Sequence, residues 1–557
     1  MRHAAAATLL FLLSAAPSRA AVPRPSELSV EELAGQVFLI AIDTTIAVAR
    51  EADIRAGRVG GAMLRWDRFD ADQARAFSVR MREWSSSSPH AIPLWLSTDY
   101  EGGATFTQRR YGGAPYPGNM ALGAAGSEKY SRESARDIGA ELRSLGLQIT
   151  YAPDVDVNSN PANPVIGLRA FGDDPEKVAK LGVAALRGYR DAGVLAMPKH
   201  FPGHGDTSED SHTGLPVSTK TMTQLEATEL VPFRAAFLDG AEAVMPAHIV
   251  EQSLGSGALQ PVTLSTAAIG GFLRGTLGFH GLIFSDDLNM GAITKIYGSS
   301  EAAVLALLAG NDVLEVGIGD YPGAYAGVVA AVNAGRLPRA RLEDAVGRIL
   351  AAKKRLGMFK TYEAPRPLDA KTVARHRALA REIAEASVTL IRNNGVLPLR
   401  LKPDDVLGVV LVHSARFPDE TANFVAELTK RHARIELVDL PVMFPKPDAV
   451  DKALARLSSA TAVIAGTYQF GAPLPATTVS LLQRLAAGRA PLVAVSMMNP
   501  YDLANSTGAA AAVATYGMTN SALEAAARLI FGEIPSKGRL PVSVPGAAKR
   551  GDGVVTR

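Results

Sequence analysis

Residues 199–212, KHFPGHGDTSEDSH, gather three histidines, one lysine, three carboxylates and two glycines into fourteen positions. That mixture admits a metal centre, or a pocket that grips a polar substrate and moves protons. For a metal, His200 and His204 stand at i, i+4, the spacing of a zinc-binding helix. Pro202, Gly203 and Gly205 lie in or beside that interval, and a helix does not run through them. A phosphate cradle fits no better, because the loop lacks GxxxxGK[ST] and its three carboxylates would repel phosphate. A serine hydrolase needs a GxSxG elbow between a strand and a helix; the chain offers GSGAL and GSSEA but no such elbow. The loop does suit a general acid. Asp210 and His212 are two apart, so a turning backbone can bring both side chains to one side. A carboxylate bonded to one imidazole nitrogen orients the ring and stabilises its protonated form, leaving the other nitrogen to deliver a proton near neutral pH. Lys199 and His200 could then donate hydrogen bonds to substrate hydroxyls.

Residues of this kind need a scaffold that makes them converge. Short apolar runs recur at 36–43, 60–66, 93–99, 147–157, 194–199, 241–248, 281–286 and 312–317. Several are continuously apolar, as strands buried on both faces are, and segments of helical spacing such as SRESARDIGAELRSLG separate them. Eight strands with intervening helices predict a (β/α)₈ barrel of the TIM type, with a doubly wound open sheet as the alternative. The polar residues favour the barrel. Asp99 closes the third run, Asp154 and Asp156 the fourth, Lys199 and His200 the fifth, His248 the sixth, Asp286 and Asp287 the seventh. The carboxyl ends of barrel strands share one face, so residues far apart in sequence would meet in one pocket. Helix N-caps and turns could account for single aspartates, but not for the lysine and histidines.

At 557 residues the chain is too long for one typical domain. A second unit from 386 to 557 carries β-rich runs at 405–413, 435–440, 460–467, 491–497 and 511–517, which predict a smaller three-layer α/β sandwich. Residues 24–360 then form the barrel and 361–385 the linker, with the charged stretch 368–386 expected as a helix lying over the surface. The first twenty residues read as a signal peptide: Arg2 and His3, an apolar run at 4–16, Pro17, then Ser18 and Ala20 before the cleavage point. The run is short for a spanning helix, so an exported protein, periplasmic or secreted and not inserted in a membrane after cleavage, is expected. Without Arg2 and Arg19 the net charge of +3 falls to +1, which gives no electrostatic case for nucleic acid. The absence of cysteine excludes disulfides, thiolate metal sites, cysteine nucleophiles and a lipoprotein anchor.

The motif KHFPGHGDTSEDSHTGLP (199–216) resembles the signature of the β-N-acetylglucosaminidase branch of glycoside hydrolase family 3. TDYEGG (98–103), YPGNMALGAAG (116–126), YAPDVDVNSNPANPVIGLRAFGDDP (151–175), VMPAHI (244–249) and FSDDLNMGAI (284–293) follow the family's order. ASVTLIRNNGVLPL (386–399) and GRLPVSVP (538–545) are similar to the start and end of its second domain. The resemblance implies a barrel followed by an α/β sandwich, and a retaining two-step hydrolysis of terminal GlcNAc from peptidoglycan- or chitin-derived fragments through a covalent glycosyl-enzyme. It assigns Asp286 as nucleophile, His212 as acid/base and Asp210 as its partner. It assigns Asp99, Arg109, Arg169, Lys199 and His200 as ligands of the sugar. Strand alternation does not separate Asp286 from Asp287, since both faces of GLIFSD are apolar. His248 matches too, as a packing or supporting residue, and Glu209 reads as a solvated turn residue. One segment departs from the pattern. TDYEGGATFTQRRYGG lacks the arginine that usually follows the glycines closely, which leaves Arg109, or Arg110, for the second one. A family 3 β-glucosidase, a β-N-acetylglucosaminide phosphorylase and a non-catalytic sugar-binding module are the alternatives. None of this chemistry requires a metal or organic cofactor, and the sequence sets no oligomeric state.

Overall fold

The computed structural model describes residues 22–65, 68–103, 112–255, 260–471 and 473–556. The signal-peptide reading at 1–20 and the arginines Arg109 and Arg110 lie outside the described residues. No helix among the described residues is long and apolar enough to cross a membrane.

The barrel is present. Its strands are β1 (Phe38–Ile42), β2 (Gly61–Leu64), β3 (Trp95–Thr98), β4 (Ile149–Thr150), β5 (Leu195–Ala196) and β6 (Lys199–Phe201). Then follow β7 (Val217–Ser218), β8 (Ala243–Pro246), β9 (Val250–Glu251), β10 (Leu282–Ile283) and β11 (Leu314–Val316). One parallel sheet runs β11-β1-β2-β3-β4-β5 and a second β10-β8-β6. Parallel bridges Asp154↔Lys199 and Phe284↔Val313 join the two edges, so eight strand positions close a ring. The fifth run is broken into β5 and β6 around Met197 and Pro198, a residue that cannot donate to a ladder. Short β7 pairs with β9 and ties down the chain just beyond the histidine-rich loop.

The end of the barrel opposite the strand carboxyl termini is filled by apolar side chains and one cation. Lys353 is wholly buried; its Nζ donates to Gln36 Oε1 and Gly60 O, both at 2.9 Å, and lies 5.0 Å from the Trp95 ring centroid. Burial, with a smaller push from Arg82, lowers its ammonium to about 7. Its unfolded value is near ~10.4. Between those values the unfolded chain holds the extra proton, so this group makes the fold more stable as pH rises through that window. Lys353→Met should flatten that rise. Melting temperatures of both proteins from about pH 6.5 to about 9 check it, and an unchanged slope refutes it.

The second unit contains β12 (Thr389–Asn393), β13 (Leu407–Val412), β14 (Ile435–Leu440), β15 (Ala462–Thr467), β16 (Leu492–Ser496) and β17 (Ala511–Ala514). They form one sheet in the order β12-β17-β16-β15-β13-β14, parallel except for β12. The helix expected in the linker spans Ala370–Ser387, but it does not merely lie over the surface. His376, Leu379, Ala380 and Ile383 are buried on one face, and Arg375 and His376 bond Asp137 and Glu141 of the barrel. The carboxyl ends of the second sheet face the barrel loops. Ser521 Oγ donates to Pro115 O at 2.6 Å, Asn158 Nδ2 donates to Tyr501 Oη at 2.5 Å, and Ser543 N donates to Asp173 Oδ2 at 2.9 Å.

Candidate active site

The loop after β6 leaves the barrel at residues that only glycine fits. Gly203 has φ +141°, and a Cβ at Gly205 would stand 1.9 Å from Val157 O. The Lys199–His200 and Phe201–Pro202 peptides are cis. His204 is spent on the loop itself: its Nδ1 is 2.6 Å from Thr207 Oγ1 and its Nε2 3.1 Å from Ser211 Oγ. It is therefore an anchor for the turn, not half of a metal pair with His200. The loop then docks on the segment after β10. Gly291 N donates to His212 O and Ala292 N to Ser211 O, both at 3.1 Å. This contact sets the histidine against the residues that follow β10.

His212 and Asp210 form the expected dyad. Asp210 Oδ1 accepts from His212 N at 2.8 Å and lies 2.7 Å from His212 Nδ1, which fixes the proton there and leaves Nε2 for substrate. The hydrogen bond to Asp210 raises the imidazole above its ordinary value against a smaller effect of burial, and Asp286 adds to the rise. The His212 side chain is 59% exposed, at the rim of a cavity of about 150 Å³.

Asp286 lines that cavity. Burial opposes its charge, but the imidazoles of His248, His200 and His212 and the N–H of Asp287, 2.8 Å from its Oδ1, outweigh burial and hold it at about 2. The geometry separates it from its neighbour. Asp287 Oδ1 accepts from Asn289 N at 2.9 Å, Asn289 Nδ2 at 3.1 Å and Gly317 N at 2.8 Å, so it braces the turns after β10 and β11. His248 supports the same turn: Nε2 is 3.0 Å from Asp287 O and Nδ1 2.8 Å from Thr263 Oγ1. Its role is to hold the backbone beside Asp286.

Across the cavity, Arg169 and Lys199 are pinned by a residue the sequence reading passed over. Glu101 Oε1 and Oε2 accept from Arg169 Nη2 and Nε, both at 2.9 Å, and Glu101 Oε1 is 2.6 Å from Lys199 Nζ. Asp99 stands farther off, 3.7 Å from Lys199 Nζ. Burial raises its carboxyl above the ordinary value, against the pull of Lys199. The two cations, with burial opposing them, hold Glu101 well below the usual carboxylate range. All three side chains of the Glu101 cluster are under a tenth exposed, so the charges offset one another where water does not. A glutamate two residues past Asp99 in TDYEGG was the available signal.

His200 is buried between Asp156 and Arg169: Nδ1 lies 2.7 Å from Asp156 Oδ2 and Nε2 accepts from Arg169 Nη2 at 3.4 Å. Burial and the neighbouring Arg169 lower it to about 4, so it is neutral and aims the guanidinium as well as facing the cavity. Asp154, Asp156 and His200 bring ligand atoms within 4.8 Å of one another. Those atoms already serve protein cations and donors. Arg169 Nε is 3.6 Å from Asp154 Oδ2, and Asp156 also accepts from the N–H groups of His200 and His204. The set reads as a brace for Arg169. The second domain supports the short turn Gly167–Arg169 that carries this arginine: Asn158, held by Tyr501, accepts from Gly167 N at 3.1 Å. The residues lining the cavity lie between Met63 and Glu315, all in the barrel.

The arrangement can place an ionised carboxylate on one side of a bound polar ring and a protonated imidazole at its rim, with a buried cation pair gripping hydroxyls. Comparison with known proteins gives the family. Residues 29–352 match the model of the glycosyl hydrolase family 3 N terminal domain. A family 3 β-N-acetylglucosaminidase structure from Paenibacillus sp. str. FPU-7 superposes with a TM-score of 0.86 at 32% identity, over 94% of this chain and 100% of that one. The β-N-acetylglucosaminidase/β-glucosidase of Cellulomonas fimi is 29% identical over 93% of this chain and 94% of its own. Beta-hexosaminidase A of Pseudoalteromonas piscicida is 32% identical over 61% of each chain, so the match spans less than two thirds of that enzyme.

Proposed function

The chain belongs to glycoside hydrolase family 3, and on that premise we propose that it is a retaining exo-β-N-acetylglucosaminidase acting on terminal GlcNAc of peptidoglycan- or chitin-derived fragments. The observation that carries the reading is Asp286, ionised in the cavity, with the loop of the Asp210–His212 dyad docked by its backbone five and six residues further on. In the first step His212 Nε2–H protonates the glycosidic oxygen while an Asp286 oxygen attacks C1. The C1–O bond to the leaving group breaks, its electron pair leaves with the protonated aglycone, and a C1–O ester to Asp286 forms with inversion. In the second step neutral His212 takes a proton from water, whose oxygen attacks C1 and releases Asp286. Two inversions retain the β configuration. Asp210 stays ionised and stabilises the imidazolium. Arg169, Lys199 and Asp99 hold the ring for in-line attack.

Hydrolysis of aryl β-GlcNAc compared with aryl β-glucoside tests the substrate. A preference for GlcNAc is expected, and a clear glucoside preference would sink the reading. The double name of the Cellulomonas relative supports measurable glucoside turnover as well. Glycosyl phosphate formed in phosphate buffer would instead mark a phosphorylase. Export after cleavage of residues 1–20 completes the proposal, and the N-terminus of the exported protein checks it.

The dyad has its own signature. Asp210 raises the His212 imidazole, so Asp210→Asn lowers it, and His212 loses its proton at lower pH. The alkaline limb of kcat/KM should therefore move to lower pH in Asp210→Asn, with the acid limb in place. A limb that stays put removes His212 from the acid role. His212→Ala should lose about 10²–10⁴-fold on poor leaving groups and markedly less on activated aryl glycosides.

A further inference from the structure

The inner end of the cavity carries a carboxyl that the mechanism above does not use. Glu315 lies on β11, 5% exposed, and lines the same cavity as Asp99, Asp286 and Asp287. It makes no ion pair among the described residues. The groups facing it are Asp99 from the end of β3, Asp286 and Asp287 from the end of β10, and Lys199 on β6, whose ammonium Glu101 already holds at 2.6 Å. The Tyr151 hydroxyl, beyond β4 and 2.7 Å from Ser97 Oγ, also meets the Glu315 carboxyl.

Exposure orders the cavity from rim to floor. His212 is 59% exposed, whereas Lys199 and Glu315 are 4% and 5% exposed. A sugar whose anomeric carbon meets His212 and Asp286 turns its opposite, non-reducing edge toward the floor. Resting on the substrate reading above, we propose that Glu315 is a substrate-binding residue acting in its acid form, its carboxyl O–H donating to a hydroxyl on that non-reducing edge. A charged carboxylate at this place would face three others. Burial, with the charges of Asp287, Asp99 and Asp286, pushes the Glu315 carboxyl well above its ordinary value, which favours the acid form. A carboxylic acid can both donate to and accept from a hydroxyl, which a carboxylate cannot. A site that hydrogen-bonds a hydroxyl discriminates strongly against sugars lacking it, because its own buried group is then left unpaired.

Glu315→Gln keeps a neutral planar donor and acceptor at the floor, and Glu315→Leu removes both. With aryl β-GlcNAc near neutral pH, the Gln variant should keep kcat/KM within about 5-fold, whereas Leu loses about 10–100-fold. Among 3-, 4- and 6-deoxy aryl glycosides, one should be a poor substrate for the wild type yet cost the Leu variant nothing further. Infrared difference spectra should show the C=O stretch of a buried protonated carboxyl in the wild type and its loss in Glu315→Gln. A Gln variant as impaired as Leu, a Leu variant as active as wild type, or a missing carboxyl band would each overturn the proposal. If Leu does not fold, judged by its melting transition, the Gln kinetics and the infrared band decide. A wild type that prefers another β-glycoside overturns the GlcNAc reading alone, and the Glu315 series measured on that glycoside should show the same ratios.

Discussion

Asp286→Asn is expected to lower kcat by about 10⁴-fold or more while leaving the melting temperature within a few degrees of wild type. The expectation follows from what Asp286 does and does not touch. Among the described residues its Oδ1 accepts only the neighbouring N–H of Asp287, and the turn after β10 is braced by Asp287 and His248 instead. Removing the charge therefore spares the scaffold and deletes the nucleophile. An amide oxygen does not form the ester at a useful rate, and the surrounding imidazoles no longer have a carboxylate to stabilise. Asp286→Ala adds a second reading, because it leaves room beside C1. Azide supplied in solution should then restore turnover of an activated aryl β-GlcNAc and yield the α-glycosyl azide, one inversion instead of two. Asp287→Asn gives the contrasting case. It weakens three hydrogen bonds that hold two turns, so its effect should appear in thermal stability as well as rate.

Glu101→Gln should be the most disruptive change away from the reacting atoms. The side chains of Glu101, Arg169 and Lys199 are 2%, 7% and 4% exposed, and the glutamate bridges the two cations at hydrogen-bond distance. Without its charge, a guanidinium and an ammonium face each other in a poorly hydrated cavity. Leaving buried charges unpaired costs about 3–5 kcal/mol of stability. The cations would also shift from where they grip the sugar, and small misplacements of positioning groups cost about 10²-fold in rate. Denaturant melts and kcat/KM measured together check this. Wild-type stability with wild-type kinetics would show that Asp99 and Asp154 hold the cations instead, since Asp99 is 3.7 Å from Lys199 and Asp154 3.6 Å from Arg169.

Much of the site was legible because barrel topology turns sequence order into spatial convergence. Asp99, Lys199, His200 and Asp286 each follow or end an apolar run, and the structure brings them to one cavity with His212 and Arg169. Spacing alone gave Asp210 and His212, since a turn two residues long brings a carboxylate onto an imidazole. The α/β order of the second unit was read from its five parallel strands. Its sixth strand, Thr389–Asn393, was not, because it is the antiparallel partner of β17 and no crossover helix announces it. Three things needed coordinates. Apolar flanks on both faces of the seventh strand hid which aspartate is left for chemistry; both line the cavity, and hydrogen bonds from Asn289 and Gly317 engage Asp287. Glu101 sits past the end of its strand, where no periodicity applies, and its role exists only through Arg169 and Lys199, 68 residues away and more. Glu315 looked like one polar position in a core strand until its neighbours proved to be three aspartates.

The central claim is that Asp286 becomes esterified during turnover. Intact-mass and peptide-mapping spectrometry of the enzyme inactivated with a 5-fluoro-GlcNAc fluoride tests this directly. One glycosyl unit per chain is expected, attached to the peptide carrying Asp286 and absent from Asp286→Asn. A glycosyl unit on any other residue, or full turnover of GlcNAc glycosides with no ester at Asp286, would contradict it.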